Sequence, residues 1–428
     1  MINIIKNSVH SFYSRLISSI AFYPSLILVG FICLVGIMLS LEDSSSTKWL
    51  IDYAPYLVIN NADTARSILS TMIGGLISLM VFSFSMVMMI LNQASSNFSP
   101  RLLPGLISDK RNQFVLGIYL GTIFYNIIIL MTVLPDGNKY TLNGFSILVG
   151  MLLAMSSLIV FIYFIHTVSS SIQINNILKG IFYTTKNRLK ILLIQEKEID
   201  TASTAVDIEK WNIIKSTKAG YYQGVNLEGL LSLCEDKEFN IKVFPTKGDY
   251  LMPNLKLYAI DRNLKEEDIN TMTSYFIFDN SKDVSENYTL GIKQITEVGI
   301  KAMSPGINDP GTAVITIDYL TELLALRMQL SEYEIHRNNK NGSYVHLNML
   351  SFQNLIYHLM AAYRQYCKHD IILMEKLISM LKYLLKQPSK LEIYREELTI
   401  QLEILAEDIK KNITNRSDRD RLDKLLNT

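Results

Sequence analysis

Asp, Glu, Lys and Arg are absent from four long stretches of the chain, 16–41, 67–100, 112–135 and 140–178, and apolar residues dominate each. A helix needs about 20 apolar residues to cross a ~30 Å hydrocarbon core, and every stretch supplies them. The pattern predicts four transmembrane helices, at about 22–41, 68–91, 114–134 and 144–166, within a membrane domain of residues 1–170. The first, PSLILVGFICLVGIMLSL, follows Lys6 and Arg15. It lacks a small-residue cleavage site and exceeds the ~7–15-residue apolar core of a signal peptide, so it reads as a retained anchor helix.

After the fourth stretch the pattern becomes periodic. TTKNRLKILLIQEKEIDTASTAVDIEKWNIIKS reads as a charged helical stalk, 171–217. Residues 218–282 read as a small α+β or barrel-like module. KAGYYQGVN, FNIKVFP and KLYAID are strands, LEGLLSLCED is a helix, GDY is a turn, and EEDINTMTSYFIFD is a helical turn with a last strand. About 65 residues bury too little surface to stand alone, which predicts packing on a neighbour. Residues 283–428 read as a helical bundle interrupted by a polar loop, HRNNKNGSYVH. Phe352, Leu355, Leu359, Tyr363 and Tyr366 form one apolar stripe; Leu391, Tyr394, Leu398, Leu402 and Leu405 form another. The fold class is therefore an integral membrane α-helical protein with four transmembrane helices, a cytoplasmic α+β module and a C-terminal helical bundle.

Charge sharpens this division. The chain has 428 residues with 41 basic and 40 acidic side chains, yet residues 1–168 hold 8 and 6 of them. A balance of +1 argues against nucleic acid as a partner, since such binders carry a basic excess. Lys6, Arg15, Arg101, Lys110, Arg111, Lys179, Lys186, Arg188 and Lys190 flank one side of the spans; the other side has Lys48, Arg66 and Lys139. By the positive-inside rule both termini face the cytoplasm.

Within the spans, the absence of Asp, Glu, Lys and Arg argues against proton pumps, charge-coupled carriers and voltage sensors. Mild polar groups remain: Ser70, Thr71, Ser78, Ser83 and Ser85 in span two, Asn126 in span three, Ser156 and Ser157 in span four. Small residues at helix-packing spacing (Ser70, Gly74 and Ser78; Gly117 and Gly121) account for most of them by close helix approach. The sharper reading is a pore lined by several subunits, with Ser78, Ser85 and Asn126 on its wall. The loop LNQASSNFSPRLLPGLISDKRNQF reads as a membrane-surface turn in which Ser99 caps a short helix opening at Pro100. Asn97, Ser99 and Arg101 would stand at a pore mouth or beside an anionic headgroup.

SPGINDP is the densest special stretch. Pro305 stops a helix, Gly306 permits positive φ, Asp309 caps the next helix and Pro310 opens it. A sharp corner explains nearly every residue. The alternative is a small ligand held by Ser304, Gly306, Asn308, Asp309 and Thr312 at a helix N-terminus. Phosphate-loop, zinc-helix and nucleophile-elbow signatures are absent, so no enzyme, cofactor or metal is expected. Cys33, Cys234 and Cys367 are too scattered for a metal site, and His358, Cys367 and His369 read as helix-surface residues.

SSNFSPR at 95–101 and SPGINDPGTA at 304–313, with the GDY turn between them, resemble the bacterial membrane-protein family called domain of unknown function 2254. The resemblance covers roughly residues 10–400. It implies an integral inner-membrane protein with a cytoplasmic C-terminal region and no established activity. One departure is visible: members often carry an Arg-containing segment and a Gln-Asp pair before the SPGxNDP helix. Here FDNSKDVSENYTLG stands there, with Glu286 and Asn287 at the pair. The leading functional expectation is a homo-oligomeric channel or channel-like transport protein with a cytoplasmic regulatory region. The alternative is a membrane-anchored sensor or scaffold binding a metabolite, lipid headgroup or protein.

Overall fold

In a computed structural model, the described residues are 21–41, 59, 61–97, 110–133, 144–171, 173–198, 208–278, 284, 287–338 and 340–427. They form two units, residues 1–176 and 177–428.

The first unit holds α1 (Phe22–Leu41), α2 (Ala62–Asn97), α3 (Lys110–Thr132) and α4 (Gly144–Ser171). All four are long and apolar enough to cross a membrane. The expected spans fall on them, with α2 running about six residues further at each end. Half of α3's most apolar window is buried, against 11 % in α1 and α2, so α3 is the central helix. Its glycines explain why α1 lies so close. A Cβ at Gly117 would come 2.6 Å from Ile27 Cδ1, and one at Gly121 would come 2.4 Å from the Phe31 ring. Arg66 donates from Nε and Nη2 to the Val133 carbonyl at 3.3 and 3.0 Å, satisfying an acceptor beyond the end of α3. Tyr125 Oη donates to the Ser146 carbonyl at 3.0 Å and ties α3 to α4.

The expected stalk contains α5 (Ile174–Glu198), and most of that helix belongs to the body of the second unit. Phe182 stacks on Tyr319 with ring centroids 4.4 Å apart, and Lys186 pairs with Glu322. Ser331 N–H donates to Glu196 at 3.1 Å. Thr185 fills the space over Gly291, so a side chain there would require the threonine to move. The NIIK stretch, expected as the end of the stalk, is instead a strand, β1 (Asn212–Lys215). Its partner β5 offers a free edge, and two isoleucines side by side suit a strand.

The following strands are β2 (Gly220–Val225), β3 (Ile241–Val243), β4 (Tyr250–Leu251), β5 (Lys256–Ile260) and β6 (Phe276–Phe278). Helices α6 (Leu227–Lys237) and α7 (Glu266–Ser274) lie between them. The polar loop expected at HRNNKNGSYVH is a hairpin, β7 (Tyr333–Arg337) and β8 (Tyr344–Asn348). Ile335 is buried between two half-buried neighbours in β7, and Val345 and His346 are both buried in β8, so the hairpin has one side against the core. Gly342 takes φ +76° in the turn. The main sheet runs β1-β5-β3-β8-β7, and a smaller one runs β4-β2-β6. Among the described strands only β3–β8 is a parallel pair, with Ile241 opposite Val345 and Val243 opposite Leu347. Val345 thereby joins the core of Tyr222, Leu230, Phe239, Ile241, Tyr258 and Met272. The small module does pack on a neighbour, and that neighbour completes its sheet.

The remaining helices are α8 (Tyr288–Ala302), α9 (Pro310–Arg327), α10 (Phe352–Cys367), α11 (Ile371–Leu385), α12 (Ile393–Asn412) and α13 (Arg416–Asn427). Asn287, Asp309, Ser351 and Asp370 cap four of them with side-chain oxygens. Arg327 is fully buried and fully engaged. Nε donates to Tyr288 Oη at 2.9 Å, Nη1 to the Leu330 carbonyl at 3.2 Å and Nη2 to the Leu350 carbonyl at 2.9 Å. A buried guanidinium held by three hydrogen bonds to neutral groups is a structural element. Cys367, expected on a helix surface with His358 and His369, is buried in the α10 core stripe; the two histidines are exposed. The sequence places Cys367 four residues after buried Tyr363, one helical turn along the same face.

Candidate functional site

The SPGINDP corner closes on itself. Asp309 N–H donates to the Ala302 carbonyl at 2.8 Å, and Thr312 N–H donates to Asp309 Oδ1 at 3.1 Å, with the Thr312 hydroxyl on the other carboxylate oxygen. The carboxylate therefore occupies the α9 N-terminus, where a bound anion would otherwise sit. Positive φ falls on Asn308, at +48°, and not on Gly306 as expected. Asn tolerates this conformation better than other residues with a side chain. Gly306 and Asn308 are exposed, Ser304 is half-buried and Thr312 is buried.

In the first unit the polar candidates separate. Asn126 is buried between α3 and α4, donating from Nδ2 to the Thr122 carbonyl at 2.8 Å. Its Oδ1 faces Gly150, where a Cβ would come 2.5 Å from it. Ser83 and Ser157 are likewise buried. Asn126 thus belongs to the interior of one bundle and lies apart from Ser78 and Ser85, which are exposed. Those two share a face of α2 with Ser67, Thr71 and Gly74 at spacings of three, four and seven residues, so the stripe runs about five turns. Thr71 and Ser78 hydroxyls donate to the carbonyls of Ser67 and Gly74 at 2.8 and 2.9 Å. Nothing lies within 4 Å of a Cβ built at Gly74 or Gly75. Asn97 is the last residue of α2; Ser99 and Arg101 lie outside the described residues.

A cavity of about 40 Å³ opens in the second unit, where α5, the Thr246–Asp249 turn, the start of α8 and the β7–β8 hairpin meet. Its lining includes Arg188, Lys247, Asn287, Thr289 and Glu334. Asn287 builds one wall with both ends of its amide. Oδ1 caps α8 by accepting from Thr289 N–H at 3.0 Å, and Nδ2 donates to the Lys247 carbonyl at 3.2 Å. Gly248, at φ +97°, lets the chain turn beside that amide. Glu334 lies 3.3 Å from His336 Nε2. Burial pushes the Glu334 carboxyl up, but the hydrogen bond and charge of His336 and the positive charges of Lys247 and Arg188 outweigh it. The group is held below the usual carboxylate range. Arg188 Nε is buried and has no hydrogen-bond partner among the described residues.

Sequence reasoning did not single out this cavity. It noted Asn287 and the GDY turn separately, and treated Arg188 as a topology marker. One signal was available: Arg188 sits three residues after Thr185 and four before Leu192, inside α5's buried stripe. Among the described residues no cluster of His, Cys, Asp and Glu is suited to a metal. Burial raises the Cys234 and Cys367 thiols to about 12, which leaves them protonated and unreactive.

The family described as predicted membrane protein (DUF2254) matches residues 17–383. Uncharacterized proteins of Mycobacterium bovis and Mycobacterium tuberculosis are each 23 % identical over 379 residues, covering 83 % of this chain and 70 % of the relative. No solved structure matches. With most of its length matched, this chain belongs to the DUF2254 family of predicted membrane proteins.

Proposed function

We propose that several copies of this chain assemble through the outward face of α2 into a channel or channel-like transport protein of the bacterial cytoplasmic membrane. Both termini and the second unit lie on the cytoplasmic side. The observation that carries this reading is the exposed Ser67, Thr71, Gly74, Ser78 and Ser85 stripe on a helix of membrane-spanning length. Small residues allow close helix approach in lipid, and their hydroxyls present a wettable surface without a charge. Four spans enclose no wide pore alone, so self-association is integral to the proposal. Purified protein in liposomes is expected to be multimeric and to pass monovalent ions or small solutes faster than empty vesicles. A monomer in mild detergent together with no flux across a broad solute panel removes the reading.

A second reading is favoured by the cavity: a membrane-anchored sensor whose second unit binds a small ligand. Arg188 lies on α5, which begins three residues after α4 ends. Occupancy would therefore act on the helix that follows the last span in the chain. Ligand-dependent thermal stabilisation of the full-length protein, without flux, would select this reading over the channel.

A further inference from the structure

We propose that a tip of the second unit formed by two adjoining turns, Ser216–Lys218 and Met252–Leu255, docks on the surface of an anionic lipid bilayer. The inference goes beyond both functional readings and needs only a chain held at a membrane, as membership of its family implies. Pro253 and Asn254 build the longer turn. Asn254 takes φ +70°, and Leu255 N–H donates to the Met252 carbonyl at 3.3 Å, the closure of a type II turn. Buried Ser216 locks the other turn onto it: its N–H donates to the Leu255 carbonyl and its carbonyl accepts from Asn254 N–H, both at 2.8 Å. The Ser216 hydroxyl donates to the Lys218 carbonyl at 2.7 Å. The tip is therefore fixed before any partner arrives, which lowers the ordering cost of binding.

Two features of its surface are unfavourable in water. Met252 and Leu255 stand 59 % and 51 % exposed at the corners of one turn. On the adjoining strands Tyr250 and Tyr221 are also exposed and pair edge-to-face, ring centroids 5.0 Å apart. Large apolar groups gathered in the open mark an interaction surface. The second feature is charge. Lys215 on β1 lies directly opposite Lys256 on β5, and Lys218 follows in the adjoining turn. Like charges opposed across a ladder are destabilising. None of these three exposed lysines forms an ion pair within 4 Å among the described residues; Lys256 lies 5.9 Å from the Phe244 ring centroid. In 212–222 and 244–257 the fourth lysine, Lys247, lines the cavity, and the one acid, Asp249, accepts from Thr246 N–H at 2.8 Å. Lysines around methionine, leucine and tyrosine match anionic headgroups over an apolar boundary, where tyrosine is favoured. A second copy meeting this patch with its own would set lysine against lysine, which favours lipid as the occupant.

Full-length protein carrying Cys33→Ser, in which Cys234 and Cys367 are buried, is labelled at Leu255→Cys with an environment-sensitive fluorophore. It is placed in nanodiscs that contain a lipid-borne quencher. With phosphatidylglycerol present, emission is expected to shift to the blue and to be quenched. Both effects should be absent in phosphatidylcholine alone and should fade at high salt. A lysine near an anionic surface is worth roughly fivefold in partition, so Lys215→Gln, Lys218→Gln and Lys256→Gln together should weaken docking about a hundredfold and abolish the quenching. The same label at Ile372→Cys, exposed at the start of α11, should stay unquenched. Circular dichroism and melting check that each variant folds; should the triple variant fail, the lipid and salt series on the labelled parent decides. Equal quenching in phosphatidylcholine, or equal quenching at positions 255 and 372, overturns the proposal. A blue shift without quenching also overturns it, because the tip would then be covered by protein. Emission that ignores lipid charge does the same.

Discussion

Two helices of the first unit carry the same signature and have opposite fates. Gly117 and Gly121 on α3 are filled: Ile27 and Phe31 of α1 occupy the space that side chains there would need. Gly74 and Gly75 on α2 are empty, with no atom within 4 Å of either Cβ position. Small residues one turn apart encode the capacity for close approach and leave open who approaches. In α3 the partner comes from the same chain. In α2 the glycines of an exposed five-turn stripe meet none among the described residues, and that contrast is the basis for proposing a second copy.

The largest expected effect comes from breaking the filled side. Gly121→Val would place Cβ 2.4–2.5 Å from the Phe31 ring. Overpacking of a rigid contact costs about 3 kcal/mol, and here it should separate α1 from the central helix. Denaturant unfolding in detergent measures the loss. Adding Phe31→Ala to Gly121→Val should restore part of it, since the two residues share one contact. Equal destabilisation of the double variant would show that the glycine is required for another reason.

The second unit has its own unfilled partner, in polar form. His346 on β8 stacks on Tyr333, and its buried Nδ1 has no hydrogen-bond partner among the described residues. Burial, and then the charge of Lys242, push the imidazole down to about 4. The unfolded chain, with a value near 6.5, takes up the proton first as pH falls. His346 therefore favours the folded state fully above pH 6.5 and progressively less toward pH 4, by about 2 kcal/mol at pH 5. His346→Phe should flatten stability across that window. An unchanged pH profile would place the titration elsewhere.

Gly291→Ala tests a filled glycine outside the spans. Its Cβ would fall 1.8 Å from Thr185 Oγ1 and 2.9 Å from Val284 Cγ1. A loss of about 1–2 kcal/mol is expected, smaller than for Gly121 because the threonine can rotate away. Thr185→Ala should recover most of it. Failure to recover would mean that Val284 sets the fit.

What the sequence disclosed follows the range of the physics involved. Continuous apolar runs and caps are local, so the four long apolar helices and the Asp309 cap of α9 were legible. The β7–β8 hairpin was not, because β8 pairs in parallel with β3, more than a hundred residues away. Its strands look polar when read alone. YEIHR and YVHLN nevertheless alternate, and the intervening NKNG carries turn residues, so a period-two test would have found them. The cavity was least legible, since α5, a turn, a helix start and a hairpin supply its walls. Only Arg188, charged within a buried stripe, marked it in advance. The filled and empty glycines were indistinguishable before the structure, as spacing carries no record of a partner.

The smallest effect on folding should come from the empty side, and it decides the comparison. Gly74→Val adds a side chain where nothing within the chain is displaced, and valine suits a lipid-facing helix surface. Stability of the single subunit should stay within about 0.5 kcal/mol of the parent. Self-association should respond differently, because the added bulk holds two α2 helices apart and buries the flanking hydroxyls of Ser70 and Ser78. Subunit number in nanodiscs, followed with flux from liposomes, separates the two consequences. A loss of both with an unchanged melting curve assigns the stripe to an interface between copies. An unchanged subunit number would leave the stripe facing lipid, and the hydroxyls bonded back to their own helix would then be sufficient to keep it there.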